Sequence, residues 1–468
     1  MHSNRHVLTL ATAAIAVASA SSGAFAQSVT LTPANNIQAA INSGDFTEII
    51  LEAGVYNQTI NFNGAAVTLR STNPDDSAVV DATVISGENL GSNVVRMTSG
   101  EGPGSRLVGL TIAEGEAFGV GLDNRGGGLV INASDPTIDR CVFRDNEAGD
   151  FGGAMYINDS SPTIIDTEFR SNVASASGGA IYVNIIGELD LSGSVFVANT
   201  AVGGDGGGVR SQNGTLVLND AVFTGNQAMG RGGGFYGANT RMEFNACTFE
   251  ANAADSGGGI YANTSVTARS AIANSLFIRN EAPATGGGMF LRVPTDVTAC
   301  TFVGNVSGNI SAVDSEANSS PSFVTGCIIW GNDAPLTVFG NGNPTTTYTL
   351  VEGGLAGAGN IDVDPQFVDA TGDDFRLMVG SPAIDAGDSF ALLSGDPKDF
   401  DGNIRVIDDP ASVDTGVVVF RNTIDMGAFE FQPDGGTGNP NCPADLDGSD
   451  SVDFADLLAV LSAFGTCP

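Results

Sequence analysis

The C-terminal part of the chain carries oxygen-bearing side chains at a spacing that suits metal binding. In the stretch 445–456 they fall at loop positions 1, 3, 5, 9 and 12, and a backbone carbonyl at position 7 completes the set. The six residues are Asp445, Asp447, Ser449, Ser451, Asp453 and Asp456. Oxygen ligands in this order are those of a calcium-binding loop. The sequence therefore predicts a calcium site at these six residues.

This loop is similar to one repeat of a dockerin, an EF-hand-type module in which position 12 is Asp, here Asp456. Two positions depart from the consensus. Ser449 replaces a carboxylate at position 5, and Asp450 replaces the glycine that takes the sharp turn at position 6. We therefore expect weaker calcium binding than in a consensus loop, and the alternative is a solvated acidic turn before a helix.

Histidine chemistry is excluded from the mature chain. His2 and His6, the two histidines, lie in an N-terminal segment with a basic Arg5, an apolar run and a small-x-small site that ends at Ala26. These features predict a secretory signal peptide over residues 1–26, cleaved after Ala26. Without imidazole, Ser/His/Asp triads, Cys/His pairs and His-ligated zinc are unavailable to the protein.

The charge balance argues against nucleic acid as a partner. The chain has 53 acidic and 18 basic residues and a formal net charge of −35, and loss of Arg5 makes it one unit more negative. Affinity for phosphates depends on clustered Lys and Arg. No later apolar stretch approaches the ~18 residues that span a bilayer. We therefore expect a secreted, extracellular or cell-surface protein without a transmembrane segment.

Two motifs recur in step along the middle of the chain. Glycine pairs or triplets, spaced 25 to 29 residues apart, begin at Gly126, Gly152, Gly178, Gly206, Gly232, Gly257 and Gly286. An aromatic-x-x-Asn motif runs in phase with them, with its aromatics at Phe143, Phe169, Phe196, Phe223, Phe249, Phe277 and Phe302. Self-similarity at one period is typical of a solenoid, and the short β-rich runs between glycines indicate coils of short strands. The sequence predicts an all-β fold, a parallel β-helix.

Each column of the repeat then becomes a ladder along the axis. Phe stacks on Phe in the interior, Asn side chains pair from coil to coil, and Gly takes turns that need φ > 0. One interior column is predicted to contain Phe169, Phe196, Phe223 and Phe249. Over residues 107–335 the paired motifs resemble the repeats of the polymorphic outer-membrane-protein family. The resemblance implies a right-handed parallel β-helix solenoid. Together with less regular runs nearer the N-terminus, we expect ten to twelve coils within residues 27–355.

Less regular segments at both ends are expected to cover the solenoid. Residues 35–42 place three apolar side chains on one helical face and predict an N-terminal cap helix, since an uncovered end would expose unpaired backbone groups. Residues 356–432 resemble the segment that closes many secreted bacterial β-helix proteins, and we expect a C-terminal cap there. We interpret its acids, including Asp385 and Asp425, as turn residues beside glycine.

The six cysteines divide into two groups. Four of them share a column of small residues in the repeat: Cys141, Cys247, Cys300 and Cys327. Cys300 and Cys327 fall in neighbouring coils at a separation compatible with a disulfide, but stacked thiols often stay reduced, so both states are left open. Cys442 and Cys467 bracket the small calcium module, residues 442–468, after a Pro- and Gly-rich linker at 433–441. A disulfide between those two is expected.

Two functions are compatible with these features. A surface protein would present the solenoid to a protein or glycan partner, for adhesion or as a scaffold, and would be tethered or docked through the calcium module. The alternative is a carbohydrate-active enzyme, a polysaccharide lyase or glycosidase that uses carboxylates and Arg. We favour the first, because fold analogy is weak evidence of activity and the negative charge repels acidic polysaccharides. We assign no catalytic residue.

One set of acids recurs just before the glycine motifs. Its members are Asp123, Asp150, Asp205 and Asp255. They are the candidates for a calcium- or sugar-binding edge. Because they follow the repeat, the alternative is that each is a solvated turn residue.

Overall fold

A computed structural model describes residues 27–184, 187–263, 269–307, 313–315, 322–333, 336–338, 345–392, 398–417 and 423–433. Within these ranges the chain is nearly all β and forms a parallel β-helix, which confirms the predicted fold class. Short strands of successive coils pair in parallel register, one coil above the next, at the usual strand spacing of about 4.8 Å.

Three long faces run along the solenoid. Sheet 1 has twelve strands in the described residues: Gly54–Asn57, Thr83–Ser86, Thr111–Ala113, Val142–Arg144, Glu168–Arg170, Val195–Val197, Val222–Thr224, Thr248–Glu250, Leu276–Ile278, Thr301–Val303, Ile328–Trp330 and Leu350–Val351. Sheet 2 has eleven: Ile60–Asn61, Val95–Met97, Leu129–Asn132, Met155–Asn158, Ile181–Asn184, Val209–Gln212, Phe235–Ala238, Ile260–Asn263, Met289–Leu291, Val313–Ser315 and Leu336–Val338.

The third face consists of two successive sheets. The first has the strands Ser28–Leu31, Glu48–Leu51, Thr68–Ser71, Arg106–Val108, Thr137–Asp139 and Thr163–Ile165. The second has the strands Glu188–Asp190, Thr215–Asn219, Arg241–Asn245, Ser270–Ala273, Thr295–Thr298, Phe323–Thr325 and Thr345–Thr347. Two-residue strands at the corner between sheets 1 and 2 add a narrow strip: Glu116–Ala117, Glu147–Ala148, Val173–Ala174, Thr200–Ala201, Gln227–Ala228, Glu281–Ala282 and Val306–Ser307.

The predicted phenylalanine column lies in the interior. It runs through Phe143, Phe169, Phe196, Phe223, Phe249, Phe277 and Phe302, all fully buried. Neighbouring rings stack with centroids 4.5 to 5.3 Å apart. The rings are close to parallel because each sits at the same position of a strand in sheet 1. The prediction for the four central phenylalanines is confirmed.

The asparagine of each repeat forms a second interior ladder. At its centre, Asn226 Nδ2 donates to Asn252 Oδ1 at 2.9 Å and to the Phe196 carbonyl at 2.9 Å. Its own Oδ1 accepts from the Asn199 backbone N–H at 3.1 Å. The same pattern links Asn146, Asn172, Asn199, Asn226, Asn252, Asn280, Asn305 and Asn332. These amides satisfy backbone groups at the corner where the coil leaves sheet 1.

The first glycine of every motif has a left-handed backbone, as predicted. Gly152 shows why another residue is unsuitable. Its φ is 66°, and a Cβ atom built there would lie 2.1 Å from the Met155 carbonyl oxygen. The turn is therefore too tight and of the wrong hand for an L side chain.

The N-terminal helix is present at Ile37–Ser43. Asn36 caps it by accepting from the Ala39 backbone N–H at 2.7 Å, and Ile37 and Ile41 are buried against the first coils. Gly44 ends the helix with φ 68°. A second short helix, Ser77–Ala82, and two 3₁₀ turns, Gly121–Asn124 and Ser389–Leu392, interrupt the strands.

The closing segment packs against the side of the last coils. It contains an antiparallel pair, Phe367–Asp369 with Asp374–Leu377. Its apolar side chains, Phe367, Phe375, Leu377, Ile384, Met426 and Phe429, bury the outward-facing Leu276, Ile278, Ile328 and Leu350 of sheet 1. The segment therefore extends the hydrophobic core outside the coil.

Cys141, Cys247, Cys300 and Cys327 are free and buried. Cys300 and Cys327 are therefore two thiols and do not form a disulfide. The Cys300 backbone N–H donates to Cys327 Sγ at 3.4 Å. Burial raises the pKa of the Cys141 and Cys247 thiols to about 12, so neither thiol forms a thiolate near neutral pH.

Candidate functional site

The predicted calcium ligands lie outside the described residues. This applies to all of Asp445, Asp447, Ser449, Ser451, Asp453 and Asp456, and also to Cys442 and Cys467. The calcium site and the disulfide of the tail therefore stay predictions.

The recurring acids before the glycine motifs do not converge on one site. Asp123 pairs with Arg96, and Asp150 Oδ2 lies 3.1 Å from Arg125 Nε. Asp205 Oδ1 accepts from the Arg231 backbone N–H at 3.0 Å. Each of these three acids therefore contacts a neighbouring coil, and the contacts are spread along the solenoid.

The outer face of sheet 2 carries a column of aromatic rings and arginine, here called the arginine–aromatic column. In register order it consists of Tyr156, Tyr182, Arg210, Tyr236, Tyr261 and Phe290. The side chains lie outside the coil because they alternate with interior neighbours such as Ile181 and Val183 on the same strand. The rings cover one another and are only 2 to 7% exposed. The rings stack along the axis, with Tyr156 and Tyr182 centroids 5.6 Å apart and Tyr236 and Tyr261 centroids 5.4 Å apart.

Arginine side chains lie over the rings of this column. Arg210 Cζ is 4.9 Å from the Tyr182 centroid and 5.5 Å from the Tyr236 centroid, so its guanidinium lies between two rings. Arg231 Cζ is 5.1 Å from the Tyr261 centroid, and Arg125 Cζ is 5.0 Å from that of Tyr156. Cation–π contacts of this kind hold the guanidinium plane in a fixed orientation.

A column of amides runs beside the rings. Asn158 Nδ2 donates to Asn132 Oδ1 at 2.9 Å, and Asn184 Nδ2 donates to Asn158 Oδ1 at 2.9 Å. In the next coil Gln212 accepts from the Tyr182 hydroxyl at 2.9 Å. These half-buried amides offer donors and acceptors at the surface, next to aromatic edges and guanidinium groups. Such a surface is suited to recognition by hydrogen bonds and charge.

The closing segment contains a cluster of carboxylates. One oxygen each of Asp385, Asp408 and Asp414 lies within 4.8 Å of the others, a grouping that could hold a metal ion. Asp385 is fully buried, and its oxygens accept from the Thr423 hydroxyl at 2.8 Å and the Asp409 backbone N–H at 3.2 Å. Carboxylate oxygens suit calcium. Our interpretation of Asp385 as a turn residue was incomplete, because the acids that surround it are distant in sequence.

A buried charge network lies beside this cluster. Arg405 is fully buried, and its Nη1 is 3.6 Å from Glu430 Oε2. Burial raises the pKa of Asp425 to about 7 and raises that of Glu430 well above its ordinary value. Asp425 nevertheless has structural partners, since it accepts from the Asp385 backbone N–H at 2.8 Å. We therefore interpret the network as a structural feature of the closing segment and not as a catalytic site.

The arginine–aromatic column was missed from the sequence. The pattern after each glycine motif, an apolar residue followed by Tyr, Phe or Arg, was visible in pairs such as Met155 and Tyr156. Strand alternation places the second residue of each pair outside the coil. That alternation is the signal that would have found the column.

Comparison with known proteins gives one family match. The model of the Chlamydia polymorphic membrane protein repeat matches residues 166–184, which contain Phe169, Asn172 and the glycine motif at Gly178. These are the residues that stack in the interior ladders and the tight turn. No curated protein matches the chain. In the described part of the chain, no helix has the length and apolar character needed to cross a membrane.

Proposed function

We propose that this protein is a secreted or cell-surface β-helix that binds a protein or glycan partner, in adhesion or as a scaffold. The observation that carries the proposal is the arginine–aromatic column, whose stacked rings order guanidinium groups next to half-buried amides along one outer face. Surface recognition commonly uses Tyr and Arg, because both form rigid, amphipathic contacts.

Two further features support this role. The matched family model is named for a membrane protein of Chlamydia, and a repeat of that kind is consistent with a place at the cell surface. The predicted signal peptide would direct the chain out of the cytoplasm. Neither feature requires catalysis.

The proposed tether is the C-terminal tail. Calcium bound by Asp445, Asp447, Ser449, Asp453 and Asp456, with the Ser451 carbonyl, would order the dockerin-like module for docking to a partner. The solenoid has its own core, so its folding should not depend on the ion.

A glycan and polysaccharide panel tests the proposal. The mature chain is scored for both binding and product release, with and without calcium. We expect retention of one or more glycans, or of a protein partner on the same surface, without sugar release. Release of reducing or unsaturated sugar would overturn the proposal in favour of a carbohydrate-active enzyme.

A further inference from the structure

The arginines of this acidic protein are mostly neutralised by neighbouring carboxylates. On the solenoid, Arg70 pairs with Glu48 at 2.7 Å, and Arg125 pairs with Asp150. In the described part of the chain, Arg210 and Arg231 have no carboxylate within ion-pair distance of the guanidinium. Asp205 attracts the Arg231 guanidinium only from beyond that distance. With 53 acids and 18 bases in the sequence, two guanidiniums without a direct ion pair on one face require an explanation.

Arg210 belongs to the arginine–aromatic column, and Arg231 lies beside the column in the next coil, just before the glycine motif at Gly232. Arg210 is half-buried between Tyr182 and Tyr236, and its Nε lies buried without a hydrogen-bond partner. Arg231 is exposed and lies over Tyr261, the ring stacked on Tyr236. The rings fix both guanidinium planes, so little rotamer entropy would be lost when a ligand binds. A stacked guanidinium keeps its N–H edge available to a carboxylate, which it recognises with two parallel hydrogen bonds.

The surrounding charge selects an anion of low charge. A polyanion would meet the carboxylates of the neighbouring coils, whose field reaches about 8 Å at physiological ionic strength. A ligand with one carboxylate and an otherwise neutral body would gain the attraction of Arg210 and Arg231 without that repulsion.

The neighbouring groups favour a sugar over a peptide. Gln212 lies in the same strand as Arg210, and its Oε1 accepts from the Tyr182 hydroxyl. Its side-chain amide nitrogen is the group that can donate to a ligand. Side-chain amides suit the many hydroxyls of a glycan. An extended peptide often binds by adding a strand to a free sheet edge. The strand Val209–Gln212 has no free edge, because Ile181–Asn184 and Phe235–Ala238 pair with it on both sides.

We propose that Arg210 and Arg231, positioned by Tyr182, Tyr236 and Tyr261, bind the carboxylate of a singly charged acidic sugar in an otherwise neutral glycan. This site rests on the proposed function, because it supplies that function with a ligand class and a location. Arg210 supplies the planar fork, Arg231 supplies the second positive charge, and Gln212 contacts the sugar hydroxyls.

Calorimetry and saturation-transfer NMR on the full mature chain test the site, with 3′-sialyllactose as the probe and lactose as the uncharged match. We expect 3′-sialyllactose to bind at least tenfold more tightly than lactose, and this preference to shrink with added salt. Equal binding of the two sugars would overturn the proposal. So would tighter binding of short poly-glutamate than of 3′-sialyllactose, which would identify a peptide site.

Two variants and one control locate the binding. Arg210→Lys keeps the charge but removes the fork, and Arg231→Gln removes a charge, so each should weaken 3′-sialyllactose binding at least tenfold. Arg144→Gln is the control, because Arg144 pairs with Asp145 on sheet 1 and should bind like the unmodified chain. Circular dichroism and thermal midpoints verify folding. If both the Arg210 and the Arg231 variants bind 3′-sialyllactose normally, the proposed site is wrong. If they lose 3′-sialyllactose but still bind other glycans of the panel, the proposed function is unaffected.

Discussion

Arg405 of the closing segment donates from Nε to Oδ1 of Asn274 in the solenoid at 2.9 Å, across 131 residues of sequence. The contact is fully buried on the arginine side. It joins the two parts of the molecule by a charged side chain, which also donates to the Gly427 carbonyl. This guanidinium therefore adds a buried polar link to the apolar contacts that hold the closing segment on sheet 1.

Replacing that guanidinium should destabilise the packing of the segment. Arg405→Met leaves Asn274 Oδ1 and the Gly427 carbonyl without their buried donor and removes the cation next to Glu430. Removing one partner of such a buried network costs about 3 to 5 kcal/mol. Urea unfolding of the mature chain measures the loss. The control is Arg376→Gln, an exposed arginine that pairs with Asp401 and should cost less than about 1 kcal/mol. Equal stability of Arg405→Met and the unmodified chain would contradict the prediction.

The closing segment should become less stable as pH rises. Burial raises the pKa of Asp425 from 3.8 to about 7, so the folded form holds a proton that the unfolded form releases. That stability is fully present below about pH 4 and is lost as pH rises through about 7. At about 1.4 kcal/mol for each pKa unit, Asp425 contributes up to about 4 kcal/mol. Hydrogen exchange of residues 423–433, corrected for intrinsic rates and measured with a chelator present, reports the change.

The matched variant for the pH experiment is Asp425→Asn. It cannot titrate, and it keeps an oxygen to accept from the Asp385 backbone N–H. Its exchange should therefore depend less on pH than that of the unmodified chain. Greater protection of the segment at pH 8 than at pH 5 in the unmodified protein would refute the assignment.

The interior amide ladder can be tested at Asn226. Asn226→Ala leaves the Asn199 backbone N–H and the Phe196 carbonyl buried without their side-chain partner. At about 1 to 3 kcal/mol for each such group, the free energy of unfolding should fall by about 2 to 6 kcal/mol. Asn158→Ala is the control, because Asn158 belongs to the half-buried outer amide column and should cost only about 1 kcal/mol. Chemical denaturation of the two variants decides whether the inner ladder is the stronger one.

The phenylalanine column makes a separate prediction. Phe223 is fully buried between Phe196 and Phe249, so Phe223→Ala should open a cavity and cost about 3 to 5 kcal/mol. Phe118 is 53% exposed, and Phe118→Ala should change stability by no more than about 0.5 kcal/mol. Comparable losses in the two variants would show that the interior column is not the core.

The calcium tail is tested with the full chain. Calorimetric titration should show a calcium-binding event that disappears in the double variant Asp445→Ala, Asp447→Ala, because two of the predicted ligands at loop positions 1 and 3 are lost. Asp434→Ala in the linker removes one acid outside the loop and serves as the control. Unchanged calcium heats in the double variant would mean that the stretch is an acidic turn.

The sequence was sufficient to predict the columns that repeat. Phe, Asn and Gly each recur at one position of every coil, and stacking alone requires that recurrence, so their ladders could be placed before any coordinates were known. The N-terminal helix was also predictable, because the residues of its apolar face and its cap at Asn36 lie within a few positions of one another in the sequence.

The remaining features depend on contacts between residues that are far apart in the sequence, and no local sequence pattern predicts such contacts. Arg405 meets Asn274, and Asp385 meets Asp408 and Asp414, only after separate segments fold together. The arginine–aromatic column was hidden for a different reason. Its occupants change from Tyr to Arg to Phe along the chain, so the column has a constant place but no constant residue type.

The inner amide ladder gives assembly of this protein a direction. The backbone N–H of Asn199 obtains its acceptor only from Asn226 Oδ1, one coil later in the chain. A chain exported from its N-terminus would therefore begin on the helix Ile37–Ser43 and complete each coil when the following one emerges. At any moment only the newest coil would lack its partner, so the unfinished edge stays one coil wide throughout export. The free energy released when each added coil folds would then favour forward movement of the chain and oppose its backward slippage.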